Sequence, residues 1–232
     1  MRRYAGALWV RSLIVAAGAM PLLCNAAQST CYGKVGAGHL DHGVQLPAGG
    51  TNFIAYSPLG VELGRTYLHS QIAATVLAAY ATLERSAPHK LFVYGETGLA
   101  KGGPMAPHRT HQNGLSIDFM VPVIDAGGRS IRLPGDPAHK YGYAFEFDQR
   151  GNAGQLKIDF QAMGEHLFAL LAAARERNVK IGLVIFDPVL LPLLFKTRHG
   201  AALRETLPIM KGTPWIRHDE HYHIDFSIAC RQ

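Results

Sequence analysis

The sequence holds no Lys/Arg cluster interleaved with aromatic residues, which makes nucleic acid the weakest of the partners its basic charge permits. Beyond the first residues it holds no apolar run long enough to cross a membrane. It has no internal repeat, no low-complexity tract and no linker-like stretch, so its 232 residues read as one domain, ample for a sizeable core. Charged residues stop at 17% against 48% hydrophobic, a balance that argues against disorder. Cysteine is confined to Cys24, Cys31 and Cys230.

What is present points outward from the cell. The formal charge is +6, with a pI near 9.3, which suits an anionic lipid surface or an anionic cell wall as well as nucleic acid. Arg2, Arg3 and Arg11 precede a short apolar core from Leu13 to Leu23, and Cys24-Asn25-Ala26-Ala27 offers small residues for cleavage. Residues 1–26 therefore read as a signal peptide and 27–232 as the mature domain, exported to the periplasm with no stable membrane insertion afterwards. An uncleaved anchor and a lipoprotein at Cys24 are the alternatives; the first meets too short an apolar run and the second a bulky Leu23. After cleavage Cys31 and Cys230 remain, and an even pair in an exported chain reads as a disulfide rather than two free thiols.

Periodicity gives a coarse map. Tyr32 to Gly50, rich in Gly and His, reads as a wrapping loop, and Phe53–Tyr56 as a short strand stopped by Pro58. Ser70 is the N-cap expected for a helix carrying Ile72, Val76, Tyr80 and Leu83 on one stripe and ending before Pro88. Leu91–Tyr94 and Ser116–Val121 read as strands, Arg129–Leu133 as a returning hairpin strand, and Tyr141–Phe147 as a strand from its alternating aromatics. Asp159 starts a second helix with Phe160, Met163, Leu167, Leu170 and Leu171 inward. Val179–Phe186 is a buried strand, Val189–Phe195 a short helix, and His221–Ala229 the last strand. The expected class is α+β: a central, mostly antiparallel sheet with about three helices.

Two stretches carry chemistry. One runs from His108 through His111 and Gly114 to Asp118, after a turn-rich loop from Glu96 to Pro107; the other holds His218, His221 and His223. Together they contain five of the twelve histidines. His221 and His223 stand two apart on a strand and so share a face. Two imidazoles and a carboxylate can bind zinc and leave a fourth position for water, as a hydrolytic site requires. Each half alone is weak evidence, since a lone His or Asp is more often structural. The conjunction of both halves, the Gly/Pro loop and the export signal is what points to a metal.

Gly102-Gly103-Pro104-Met105, His108-x-x-His111-Gln112-x-Gly114-Leu115-x-x-Asp118, Trp215 and His218-x-x-His221-x-His223 resemble the penicillin-insensitive murein endopeptidases, of the lysostaphin, D-Ala-D-Ala metallopeptidase and hedgehog-like zinc fold. The resemblance is dense over residues 95–122 and 213–226 and rests on order and spacing between them. It implies Zn2+ held by His111, Asp118 and His223, with His221 acting beside the metal and His108 and His218 as further active-site histidines. It implies peptidoglycan crosslinks as substrate, cut next to D-alanine, with no serine for penicillin to acylate. A zinc lowers the pKa of its water to about 7, and His221, with an ordinary imidazole pKa near about 6.5, is the candidate general base and later proton donor. The residues leave open whether His108 and His218 contact the oxyanion, orient a ligand or serve only structure. Many relatives carry a second acid where this chain has Ser116. Asp225 shares the histidine face and could hold a ligand imidazole, Trp215 could line a groove, and Glu96, Arg109 and Arg217 could meet substrate or simply face solvent. Tyr222 could line the same groove, but it faces away from its neighbouring histidines and reads better as core packing. A D,D-carboxypeptidase or dipeptidase, and a non-catalytic wall-binding module on the same fold, are the competing readings.

Overall fold

The computed structural model describes residues 28–232, so the expected signal peptide lies outside the described residues. A five-stranded sheet forms the centre: β1 (Phe53–Ala55), β2 (Phe92–Tyr94), β3 (Ser116–Met120), β4 (Lys180–Ile185) and β5 (His221–Ser227), in the spatial order β4-β5-β3-β2-β1. Only the β1–β2 pair is parallel. The two strands that hold the second motif and the end of the first are therefore neighbours in the middle of the sheet.

β3 and β5 are buried almost throughout, and their two faces differ sharply. Ile117, Phe119, Tyr222 and Ile224 turn to one side and join the hydrophobic core. Against that core lie two 17-residue helices, α1 (Ser70–Ser86) and α2 (Phe160–Glu176). Each buries an apolar stripe, Ile72, Val76, Ala79 and Leu83 on α1 and Met163, Leu167, Leu170 and Ala174 on α2. The opposite face carries Ser116, Asp118, His221, His223 and Asp225.

His166 is the one ionisable group of α2 that turns inward completely. It is fully buried, its Nδ1 lies 2.5 Å from the Tyr222 hydroxyl, and it stands among Tyr80, Phe92 and Phe119 with ring centroids 5.4, 5.2 and 4.6 Å away. Burial pushes its pKa down to about 3, so it is neutral at neutral pH.

The α+β class and the central, mostly antiparallel sheet hold as expected from periodicity, with three smaller sheets beside it. Several local expectations do not. Residues 30–41 form a hairpin, Thr30–Lys34 with Ala37–Asp41, rather than a loop; three glycines, at 33, 36 and 38, hid its alternation. His69, not Ser70, caps α1, its Nδ1 accepting the Gln71 N–H. Short helices at Pro58–Glu62 and Gly200–Thr206 join the expected one, found at Leu191–Leu194. The Tyr141–Phe147 stretch is no strand: a 3-10 turn covers Pro137–Gly142, and Lys140 and Tyr141 take left-handed backbone with φ of 47° and 60°. Of its alternating aromatics, Tyr141 and Tyr143 line a cleft wall, while Phe145 and Phe147 turn to the hydrophobic core.

A disulfide joins Cys31 to Cys230, with Cα atoms 4.9 Å apart. It ties the first hairpin to the residues after β5. Closing a loop of this length stabilises by about 5 kcal/mol in the chain-entropy account.

Candidate metal centre

Strand register assembles half of the site. His223 stands directly opposite Asp118, and Asp225 opposite Ser116. Directly paired residues of an antiparallel ladder point to the same face, so His223 Nδ1 comes to 2.8 Å from Asp118 Oδ1. The loop before β3 supplies the rest. His111 takes a left-handed φ of 67°, rare for a residue with a side chain. Gly114 nearby needs its φ of 76°, and a Cβ there would stand 2.7 Å from the His69 nitrogen. That close approach is why the motif carries glycine. The result places His111 Nε2 at 3.3 Å from the same Asp118 Oδ1. His108, His111 and Asp118 present ligand atoms mutually within 4.8 Å.

Hydrogen bonds behind the two histidines decide where their protons sit. The Thr97 carbonyl, 3.0 Å from His111 Nδ1, can only accept, so Nδ1 carries the hydrogen and Nε2 the lone pair. His223 has an acceptor at each ring nitrogen, Asp225 at 2.8 Å from Nε2, itself bonded by the Ser116 hydroxyl at 2.6 Å, and Asp118 at 2.8 Å from Nδ1; with a cation beside Asp118, Nε2 keeps its hydrogen for Asp225 and Nδ1 turns a lone pair to the cation. His111 Nε2 and His223 Nδ1 thus converge on one carboxylate oxygen inside the protein. His111 Nε2 is buried with no hydrogen-bond partner among the described residues. Such an arrangement repels itself unless a cation stands between the three atoms, so the donor set fits a divalent metal. Without one, a proton fills the role at His223: burial opposes the imidazolium, but Asp118 and Asp225 outweigh it and push the pKa up to about 10. Asp118, despite complete burial, is held well below the usual carboxylate range by His111 and His221.

The remaining histidines surround this centre. His221 Nδ1 lies 2.7 Å from Glu220 Oε1, and although burial works against its charge, Asp118 and Glu220 raise its pKa above the ordinary value. His218 donates from Nδ1 to the Ile216 carbonyl at 2.8 Å and packs its ring 4.5 Å from that of His221. Burial, reinforced by His221, brings its pKa down to about 4, so it is neutral. His108 is bonded through Nε2 to Glu96, and its Nδ1 lies 3.8 Å from Asp118 Oδ2. All six residues singled out in the two motifs therefore meet in one place.

Glu96 is buried and already committed. Tyr56 donates to it at 2.8 Å, and Arg65 and His108 both bond it. Burial would raise its pKa, but those partners bring it down to about 2. Arg217 is likewise engaged, with Asp219 and Glu146. Trp215 is 49% exposed and lines the mouth of a 380 Å³ cleft that opens on the histidines and Asp118. Three contributors escaped sequence reasoning. Tyr143 donates to Asp118 Oδ2 at 3.0 Å and accepts the Glu96 N–H; the strand expected over its segment hid it. Glu220 was masked by alternation, which would turn it away from His221 had it lain within β5. Arg65, between two short elements, carries no sequence signal.

Comparison with known families agrees with this geometry. The chain matches the model of a peptidase family whose members act on murein, which makes it a hydrolase of that class. Residues 31–232, from the first hairpin to the C-terminus, are matched, and the chain belongs to the penicillin-insensitive murein endopeptidases. No curated protein matches it. The family implies peptidoglycan as substrate and a site of action outside the cytoplasm, and no helix among the described residues is long and apolar enough to cross a membrane.

Proposed function

We propose that this murein endopeptidase is zinc-dependent, that His111, Asp118 and His223 hold the metal, and that it hydrolyses peptide crosslinks next to D-alanine. The observation that carries this reading is the convergence of His111 Nε2 and His223 Nδ1 on Asp118 Oδ1, each ring backed on its other nitrogen by an acceptor, the Thr97 carbonyl and Asp225. Zinc held by His111, Asp118 and His223 would supply Lewis acidity toward water and the scissile carbonyl.

The chain's own residues supply the proton handling. With Nδ1–H given to Glu220, His221 keeps its Nε2 lone pair for the proton of the attacking water. Its raised basicity lets it hold that proton until the leaving amine takes it. His218, neutral and ring to ring with His221, adds no charge that would oppose this step. Its Nδ1–H is spent on Ile216, so its other nitrogen accepts rather than donates, and it orients rather than stabilises an oxyanion. His108 is held by Glu96 at the edge of the same centre. A second reading makes His108 a ligand, because it shares the 4.8 Å cluster with His111 and Asp118.

Residues 1–26 fit this role as the export signal to the periplasm. The test is to incubate the mature protein with sacculi, with and without chelator, and separate the muropeptides. Zinc-restorable conversion of crosslinked dimers to monomers is expected. Release of free D-alanine alone would mark a carboxypeptidase, and binding without cleavage a wall-binding module.

A further inference from the structure

Every carboxylate that lines the cleft is engaged: Glu96 by Arg65 and His108, Asp118 by the ligand histidines and Tyr143, Glu220 by His221. Arg65 is occupied by Glu96 and the Ala106 carbonyl. Two cations that line the same cleft are not. Among the described residues neither Lys140 nor Arg109 has an ion-pair partner. Arg109 lies over Trp215, its guanidinium carbon 5.5 Å from the ring centroid, while Lys140 touches nothing that would neutralise it.

The backbone around Lys140 sets it apart from an ordinary surface lysine. Lys140 and Tyr141 are consecutive residues with side chains in the left-handed region, followed by Gly142 at φ 104°. The turn is pinned at its start by Asp136, which accepts the His139 N–H, and packs Gly142 beside Met120 and Leu133. Conformations of this kind persist where surroundings over-determine them, and they cluster at ligand clamps. Here they bring Lys140 and Tyr141 to the wall of the cleft that holds the metal centre.

We infer that Lys140 is a specificity residue: its ammonium recognises a free carboxylate on the peptide stem beside the scissile bond, so the enzyme discriminates against stems amidated there. This rests on the murein endopeptidase reading above. A carboxylate gains a charge partner in a cleft with no spare anion, whereas a primary amide gains only a neutral hydrogen bond.

The test uses the full mature protein loaded with zinc and two uncrosslinked stem peptides, identical except for a free or amidated carboxylate. Lys140→Asn keeps a residue that tolerates left-handed backbone, and Lys140→Arg keeps the charge. By calorimetry the wild type should bind the free-carboxylate peptide about fivefold tighter than the amide, as one partly exposed ion pair allows. Lys140→Asn should bring the two affinities together by weakening only the first, and Lys140→Arg should restore the difference. Equal weakening of both peptides by Lys140→Asn, or a wild type that does not distinguish them, overturns the inference. Turnover of crosslinked dimers is read in parallel: discrimination in binding without any cleavage defeats the endopeptidase reading and leaves the role of Lys140 standing.

Discussion

Acid should unfasten this protein through His166 before it touches the surface. In the folded chain His166 stays neutral down to about pH 3. In the unfolded chain it titrates near about 6.5. Below 6.5 the unfolded state therefore binds a proton that the folded state refuses, and stability is lost as pH falls from 6.5 toward 3. Each tenfold step in proton affinity is worth about 1.4 kcal/mol, so the full loss is about 5 kcal/mol, and about 3 kcal/mol of it has occurred by pH 4. The perturbation is the double variant His166→Phe/Tyr222→Phe, which replaces both members of the buried 2.5 Å pair with apolar rings and so leaves no orphan group. Urea unfolding at pH 7 and pH 4 reads the result. Wild type should lose about 3 kcal/mol more than the variant over that range. Other titrating groups, His218 among them, act alike in both proteins and cancel. Parallel pH profiles for the two would refute the reasoning.

The metal assignment gives its own tests. His223→Ala and His111→Ala should each abolish bound zinc and activity together, while His108→Ala should keep the metal; elemental analysis of the purified variants decides, and zinc lost from His108→Ala would promote that residue to a ligand. His221→Ala should retain zinc and lose roughly 10²- to 10⁴-fold in turnover of muropeptide dimers, the usual range for a general base. Near-normal turnover would remove it from that role. Cys31→Ser should lower stability by up to about 5 kcal/mol, measured by urea unfolding with wild type as reference, and should leave zinc content unchanged because neither cysteine reaches the cleft.

How much was legible beforehand depended on the kind of signal. α1 and α2 announced themselves by long apolar stripes, and β3 and β5 by short apolar runs punctuated with motif residues. The three expected ligands are adjacent because strand pairing and a fixed histidine spacing are local facts that sequence carries. Tyr143, Arg65 and Glu220 were not legible for the opposite reason: each reaches the centre through a loop or a strand end, where no periodicity constrains direction. The left-handed turn at Lys140 defeated a pattern-based reading outright, because alternation of aromatics says nothing about whether a sheet or a cleft wall absorbs them. Ser116, which looked like a missing acid, instead supports Asp225 and through it His223.

The Cys31–Cys230 bond has a topological consequence. It closes residues 31–230 into a ring, with the residues of both motifs inside the circuit. A protease that nicks one exposed loop in the wall space would leave both pieces tethered, so a single cut need not scatter the parts of the active centre. Reduction before the same cut would remove that insurance.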